Sequence, residues 1–334
     1  MRSVHPLVFG ATAITIALLL TACSAGSAGQ GSPNDSPSSS GASSSGTAGN
    51  IPPSVKAIIH TDHGPAQVVA SSDAIWVANH RGGTLAKIDP ATNRVVGSVT
   101  VGGELNLSDN DPAWACTNVD SKAHHIDLTA MSVTSSTTTG CNGGSIRVIG
   151  NTAWSAAGPD NVGATLLDAT TGSIRAHLAL PTSGSGGPVV LTHARVLIGG
   201  GNPTAAYTPT GKSLGMLPID MTWLVPPIGS DLYRVPDSGV ITQLDPTTLK
   251  PVLTIQAPKH SDDWNWAITG DGHGHLWYRP DYTHIYSIDT ATRQVTLLMT
   301  LPWEEAPTGI QYAFGSLWIT NFDADTVWRV DPTT

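Results

Sequence analysis

The chain has 334 residues, with 16 Lys and Arg against 25 Asp and Glu, so its formal charge is −9 although only 12% of residues are charged. An acidic chain lacks the basic surface that phosphate binding requires, which excludes nucleic acid as a partner. Gly numbers 35 and Pro 24, and no long amphipathic helical period is visible, so short strands and frequent turns are expected.

Arg2 precedes an apolar run, Leu7 to Leu20, that is short for a membrane span and suits a targeting signal. The run ends in Leu20-Thr21-Ala22-Cys23, which resembles the bacterial lipobox, where the cysteine is lipidated and becomes the new N-terminus. That resemblance implies a lipoprotein signal over residues 1–23, lipidation at Cys23, and anchorage to the extracytoplasmic face of the cell membrane. An ordinary secretory signal with a chance cysteine is the alternative. Residues 24–50 are almost all small or polar and cannot offset the entropy of ordering, so a disordered Ser/Gly-rich tether is expected there. The folded domain is then 51–334, long enough for a full core. Only Cys116 and Cys141 accompany Cys23, and in an oxidising compartment they predict one disulfide. A thiol acting on a metal or substrate is the competing reading, but no closely spaced Cys or His stands beside either.

The stretch from Ile75 to Gly103 sets a repeat. Ile75-Trp76-Val77-Ala78-Asn79 reads as a strand, and Gly82-Gly83 as a turn. A second strand runs to Asp89, where an Asp-Pro turn leads into a third strand. The bulky strand residue recurs at Trp76, Trp114, Trp154, Leu197, Tyr233, Trp277 and Trp318. The turn mark recurs at Asp89, Asp127, Asp168, Thr208, Asp245, Asp289 and Asp331, at steps of 37 to 44 residues. A strand-turn-strand period near 40 predicts an all-β fold, a seven-bladed β-propeller. The last repeat stops short of its outer strand, and Val55 to His60 has the make-up to supply it, so the N-terminal strand is expected to close the last blade. The fourth repeat, around Arg195 to Gly211, is the most degenerate.

These repeats resemble the YVTN-type propellers of extracellular and surface proteins, through WVANHRGGTLAKIDPATNRVVGSVTVG and LWITNFDADTVWRVDPTT. LWYRPDYTHIYSIDTATRQV is similar to blades of virginiamycin B lyase-like and NHL-type propellers. The lyase family implies an elimination supported by magnesium, with His and Glu at the mouth of the ring. Several of its blades carry Glu three residues past the bulky position. Here those positions hold Asn79, Thr117, Ala157, Gly200, Pro236, Pro280 and Asn321. The catalytic pattern is therefore absent, and no catalytic residue and no metal ligand is assigned.

Ligand contacts in a propeller are expected from the loops at the mouth. The candidate residues are Asp62, His63, His80 and Arg81 around blade one, Trp223 before blade five, His260, Asp262, Asp263, Trp264 and Trp266 before blade six, and Trp303, Glu304 and Glu305 before blade seven. Indole faces with carboxylates suit a cationic, sugar-like or peptide ligand. The competing reading has the Trp residues filling gaps between blades and the acids as solvated charge. His273 and His275 fall in a predicted turn, and His124-His125 point to opposite faces of a strand, so neither pair suits a metal. Asp323-Ala324-Asp325 lacks the Gly and Glu of a calcium loop, and Gly184 to Gly187 lacks the Lys-Ser of a phosphate loop. The expected function is a monomeric, lipid-anchored module that binds a ligand, peptide or protein at the propeller mouth, its cofactors unknown. The alternative is a lyase-like or quinoprotein-like enzyme with a metal or cofactor in the channel.

Overall fold

A strand with an apolar residue on each face cannot leave either face in water, and here whole strands are buried. Ile75–Asn79 and Ser316–Asn321 are buried at every position. The computed structural model describes residues 52, 54–141, 146–156, 163–179, 189–192, 195–199, 203–219, 224–260, 266–302 and 307–333. Within them every regular element is a strand. Seven antiparallel sheets form the seven blades of a β-propeller.

Blade one is typical. Pro65–Ala70, Ile75–Asn79, Thr84–Asp89 and Arg94–Thr100 pair in sequence order from the centre outward. The residue that marks the second strand is buried in all seven repeats: Trp76, Trp114, Trp154, Leu197, Tyr233, Trp277 and Trp318. Two of the indoles meet an aromatic ring of the next blade, Trp154 against Tyr207 at 5.8 Å and Trp277 stacked on Tyr312 at 4.5 Å. The mark therefore reports packing between blades, where a large ring buries the most surface.

The Asp marks cap turns. Asp89 accepts the Ala91 amide at 2.9 Å, Asp168 the Thr171 amide at 2.8 Å, and Asp245 the Thr247 amide at 3.0 Å. Asp127, Asp289 and Asp331 do the same for their own turns. In blade four Thr208 substitutes its hydroxyl, which accepts the Lys212 amide at 3.0 Å. All six carboxyls lie below their ordinary value, and the leading cause in each is the amide or hydroxyl two or three residues on. Asp168 is held at about 2, by the Thr171 amide first and Arg175 next; Asp331 is also at about 2, by the Thr333 hydroxyl first and then Lys56. A carboxyl held low in the fold stabilises it fully above about pH 4, the unfolded value, and that help is lost as pH falls through the folded values. Thermal melts at descending pH should therefore hold steady to about pH 4 and then fall together. A midpoint unchanged down to the folded values of Asp168 and Asp331 would refute this origin.

The ring is closed by Val55–His60, which pairs antiparallel with Thr326–Val330 as the outer strand of blade seven. Lys56 meets Asp331 at 2.9 Å at one end of that strand, and the Thr61 amide donates to the Asp325 carbonyl at 2.9 Å at the other.

The repeat with the weakest marks, the fourth, still forms a blade of its own. Blade four keeps four strands, whereas blade five shows three among the described residues, Leu232–Arg234, Val240–Leu244 and Pro251–Gln256. Among the described residues its inner position holds bridges from Leu224 to Arg234 and from Ile228 to Asp231, and the Val225 amide donates to the Tyr233 carbonyl at 3.1 Å. Pro226 and Pro227 lie between those bridges, and neither has an N–H to give a ladder.

Candidate functional site

In a blade whose strands run alternately up and down, two kinds of connection emerge at one end. One joins the outer strand to the next blade, and the other joins second and third strands. That end is the mouth.

Around blade one the mouth residues hold each other. Asp62 accepts the Thr84 hydroxyl and the His63 amide, both at 2.8 Å. Its carboxylate presses on the next loop so closely that a Cβ on Gly82 would stand 2.7 Å from it. His63 Nδ1 lies 2.9 Å from the Asp325 carboxylate, which also accepts the Gly64 amide. Arg81 reaches Asp323 at 3.2 Å and covers the Phe322 ring at 4.3 Å. His80 Nδ1 is 3.0 Å from the Leu105 carbonyl. His63 and Arg81 thus join blades one and seven across the closure, where Asp323 and Asp325 serve that join, and His80 ties blade one to the inner strand of blade two.

At blades five and six the arrangement differs. His260 is buried, with Nε2 3.3 Å from both the Val235 carbonyl and the Asp237 carboxylate. Trp266 stacks on its imidazole, with ring centroids 5.2 Å apart. Beside them the second strand of blade six, His275–Arg279, ends in two buried polar side chains. Burial, then the charges of Asp281 and Asp237, push the Tyr278 hydroxyl up, and burial pulls the Arg279 guanidinium down to about 10. Asp281 caps the following loop through the Thr283 and His284 amides, both at 2.8 Å. Trp223, Asp262, Asp263, Trp264, Trp303, Glu304 and Glu305 lie outside the described residues, as do Cys23 and the segment 24–50.

Trp266 also lines a central cavity of about 420 Å³. Its wall comprises residues 67–69, 267–270 and 309–311 of the inner strands of blades one, six and seven (Pro65–Ala70, Ala267–Gly270 and Pro307–Ala313), the proline segment of blade five, and Asp109, in the loop between the first and second strands of blade two at the end away from the mouth. Polar inner-strand residues bond toward the next blade. Gln67 Oε1 accepts the Leu107 amide, and Thr269 Oγ1 accepts the Tyr312 amide at 3.1 Å. Asp109 pairs with Arg147, a guanidinium that burial brings down to about 9 and that remains a cation at neutral pH.

No family model matches the chain, and the search of curated proteins returns no match. Solved structures do match. A streptogramin B lyase superposes with TM-score 0.64 at 17% identity, covering 81% of this chain and 94% of that one. Virginiamycin B lyase from Staphylococcus aureus gives 0.63 at 15% identity, with 82% and 98% covered. Hydrazine synthase from Kuenenia stuttgartiensis gives 0.60 at 12% identity, with 81% and 97% covered. The likeness is one of fold.

Among the positions where lyase-like blades carry Glu, three hold a polar side chain, Asn79, Thr117 and Asn321. Asn79 donates to Thr84 at 3.0 Å, Thr117 contacts His124 Nε2 at 2.8 Å, and Asn321 accepts the Ala324 amide at 3.2 Å. Each braces its own loop. His124 is buried between Thr117 and Ser136, and burial lowers its basicity. His273 lies in a turn capped by Asp271, which also accepts the amide of His275 at the start of the strand that follows. Among the described residues no three His, Cys, Asp or Glu side chains converge. Sequence reasoning missed the cavity residues Gln67, Asp109, Thr269 and Gln311. No repeat signal marks them, since Gln67 pairs two residues past its blade's Trp mark and Gln311 opposite the mark itself.

Proposed function

We propose that the protein is an exported, lipid-anchored binding module whose propeller takes a ligand at its mouth, against Trp266 and the inner strands of blades one and seven. The observation that carries this reading is the setting of Trp266. Its ring borders the cavity and is stacked on buried His260, which is itself bonded to Asp237 and the Val235 carbonyl. An aromatic face held from behind in a concave site is the usual means of binding a small ligand. The anchor rests on Cys23, in a chain with only 3 cysteines of which the other two are joined.

Two measurements test the reading. Cys23→Ala should move the protein from membranes to soluble fractions, and unchanged retention would remove the anchor. Native mass spectrometry of protein released gently from envelopes should find added mass on the wild-type domain and none on Trp266→Ala. Equal added mass on both, or none on either, would count against the mouth.

A further inference from the structure

We infer that the cavity selects a neutral, hydroxyl-rich ligand of the carbohydrate class, with Gln67 as the donor and Gln311 as the acceptor that choose it. This rests on the mouth reading above and goes beyond it by naming the chemistry of the ligand.

The orientation of both amides is fixed by backbone partners. Gln67 accepts the Leu107 amide through Oε1, so its two N–H groups remain to donate. Gln311 donates through Nε2 to the Tyr312 carbonyl at 3.0 Å, so its Oε1 remains to accept. Thr269 Oγ1 already accepts a backbone amide, and its O–H is left as a donor. The cavity thus offers donors at Gln67 and Thr269 and an acceptor at Gln311, at different levels of its wall, and a ligand with several hydroxyls can satisfy both kinds. Among the described lining residues the one carboxylate, Asp109, is paired with Arg147. A charged ligand would give up its hydration there for no counter-charge. The wall also carries Trp266 and Ile268, apolar surfaces suited to the C–H face of a sugar ring. About 420 Å³ lies within the range of small-ligand sites.

The test is saturation-transfer NMR on the full domain with methyl glucoside, N-acetylglucosamine and trehalose, against glucuronate, protonated glucosamine and an N-acetyl dipeptide amide. Neutral sugars should bind saturably at millimolar concentration, and the other three at least about tenfold more weakly. Gln67→Glu keeps an acceptor for the Leu107 amide but removes the donor and adds a charge. It should weaken methyl glucoside about tenfold and shift preference toward glucosamine, a reversal that mere loosening of the fold would not produce. Gln311→Met, which keeps the volume but lacks the acceptor, should weaken every neutral sugar without reversing the preference. Charged sugars binding as tightly as neutral ones, no neutral sugar binding, or a preference unmoved by Gln67→Glu would each overturn the inference. Binding of glucuronate or the dipeptide amide that depends on Trp266 would overturn the carbohydrate class and leave the mouth standing. Neutral-sugar binding that survives Trp266→Ala would count against the mouth reading instead.

Discussion

A domain that begins at Thr61, and so lacks Val55–His60, should give no single cooperative melt and should associate in solution. The missing strand pairs with Thr326–Val330 and places Ile59 in a buried cluster with Ile75, Val77, Trp318 and Val327. Without it the middle of a sheet becomes an exposed edge, the usual template for pairing between chains. The ends of the ring would also lose the Lys56–Asp331 pair. Surface ion pairs add little, so the strand and its apolar face should dominate. The milder Ile59→Ala isolates that face and should cost about 2–4 kcal/mol through the cavity it leaves. Thermal and urea melts with light scattering would decide. A truncated domain with the wild-type midpoint and slope would show that the ring holds without its closing strand.

The second large effect is expected at the disulfide. Cys116, on the second strand of blade two, and Cys141, after its outer strand, are bonded with Cα atoms 5.8 Å apart and 25 residues between them in sequence. Both are fully buried among Trp114, Ala123, Ile146 and Leu167. Closing a loop of that length restricts the unfolded chain by about 3 kcal/mol. The Cys116→Ala, Cys141→Ala double variant should therefore melt lower by about 5–10 °C. Non-reducing peptide mapping of the wild type should recover the linked pair. Two free thiols there, or a double variant with an unchanged midpoint, would refute the account.

How much could be read beforehand depended on whether the cause was local. Trp76 and its equivalents do the same work in each blade, and Asp89 and its equivalents cap their own turns, so both announce themselves by spacing. Blade four looked degenerate because Leu197 and Thr208 replace the marks, yet a leucine packs and a threonine hydroxyl caps. Blade five looked regular because Tyr233 and Asp245 keep them, and the prolines that remove its inner strand stand outside the marks. The mouth was harder still. His63 and Arg81 find partners 262 and 242 positions away, and no local pattern signals such a meeting. Gln67 and Gln311 have the look of ordinary strand amides until their backbone partners show which end of each is left free.

The direction of the closing strand has one more consequence. Val55 pairs with Val330, beside the Asp331 turn, and His60 pairs with Thr326, beside the loop that holds Asp323 and Asp325. The polypeptide therefore enters the propeller at the end opposite its mouth. A pull transmitted from upstream would act along that strand and load its cross-strand pairs together, in shear, where a sideways pull would unzip them singly.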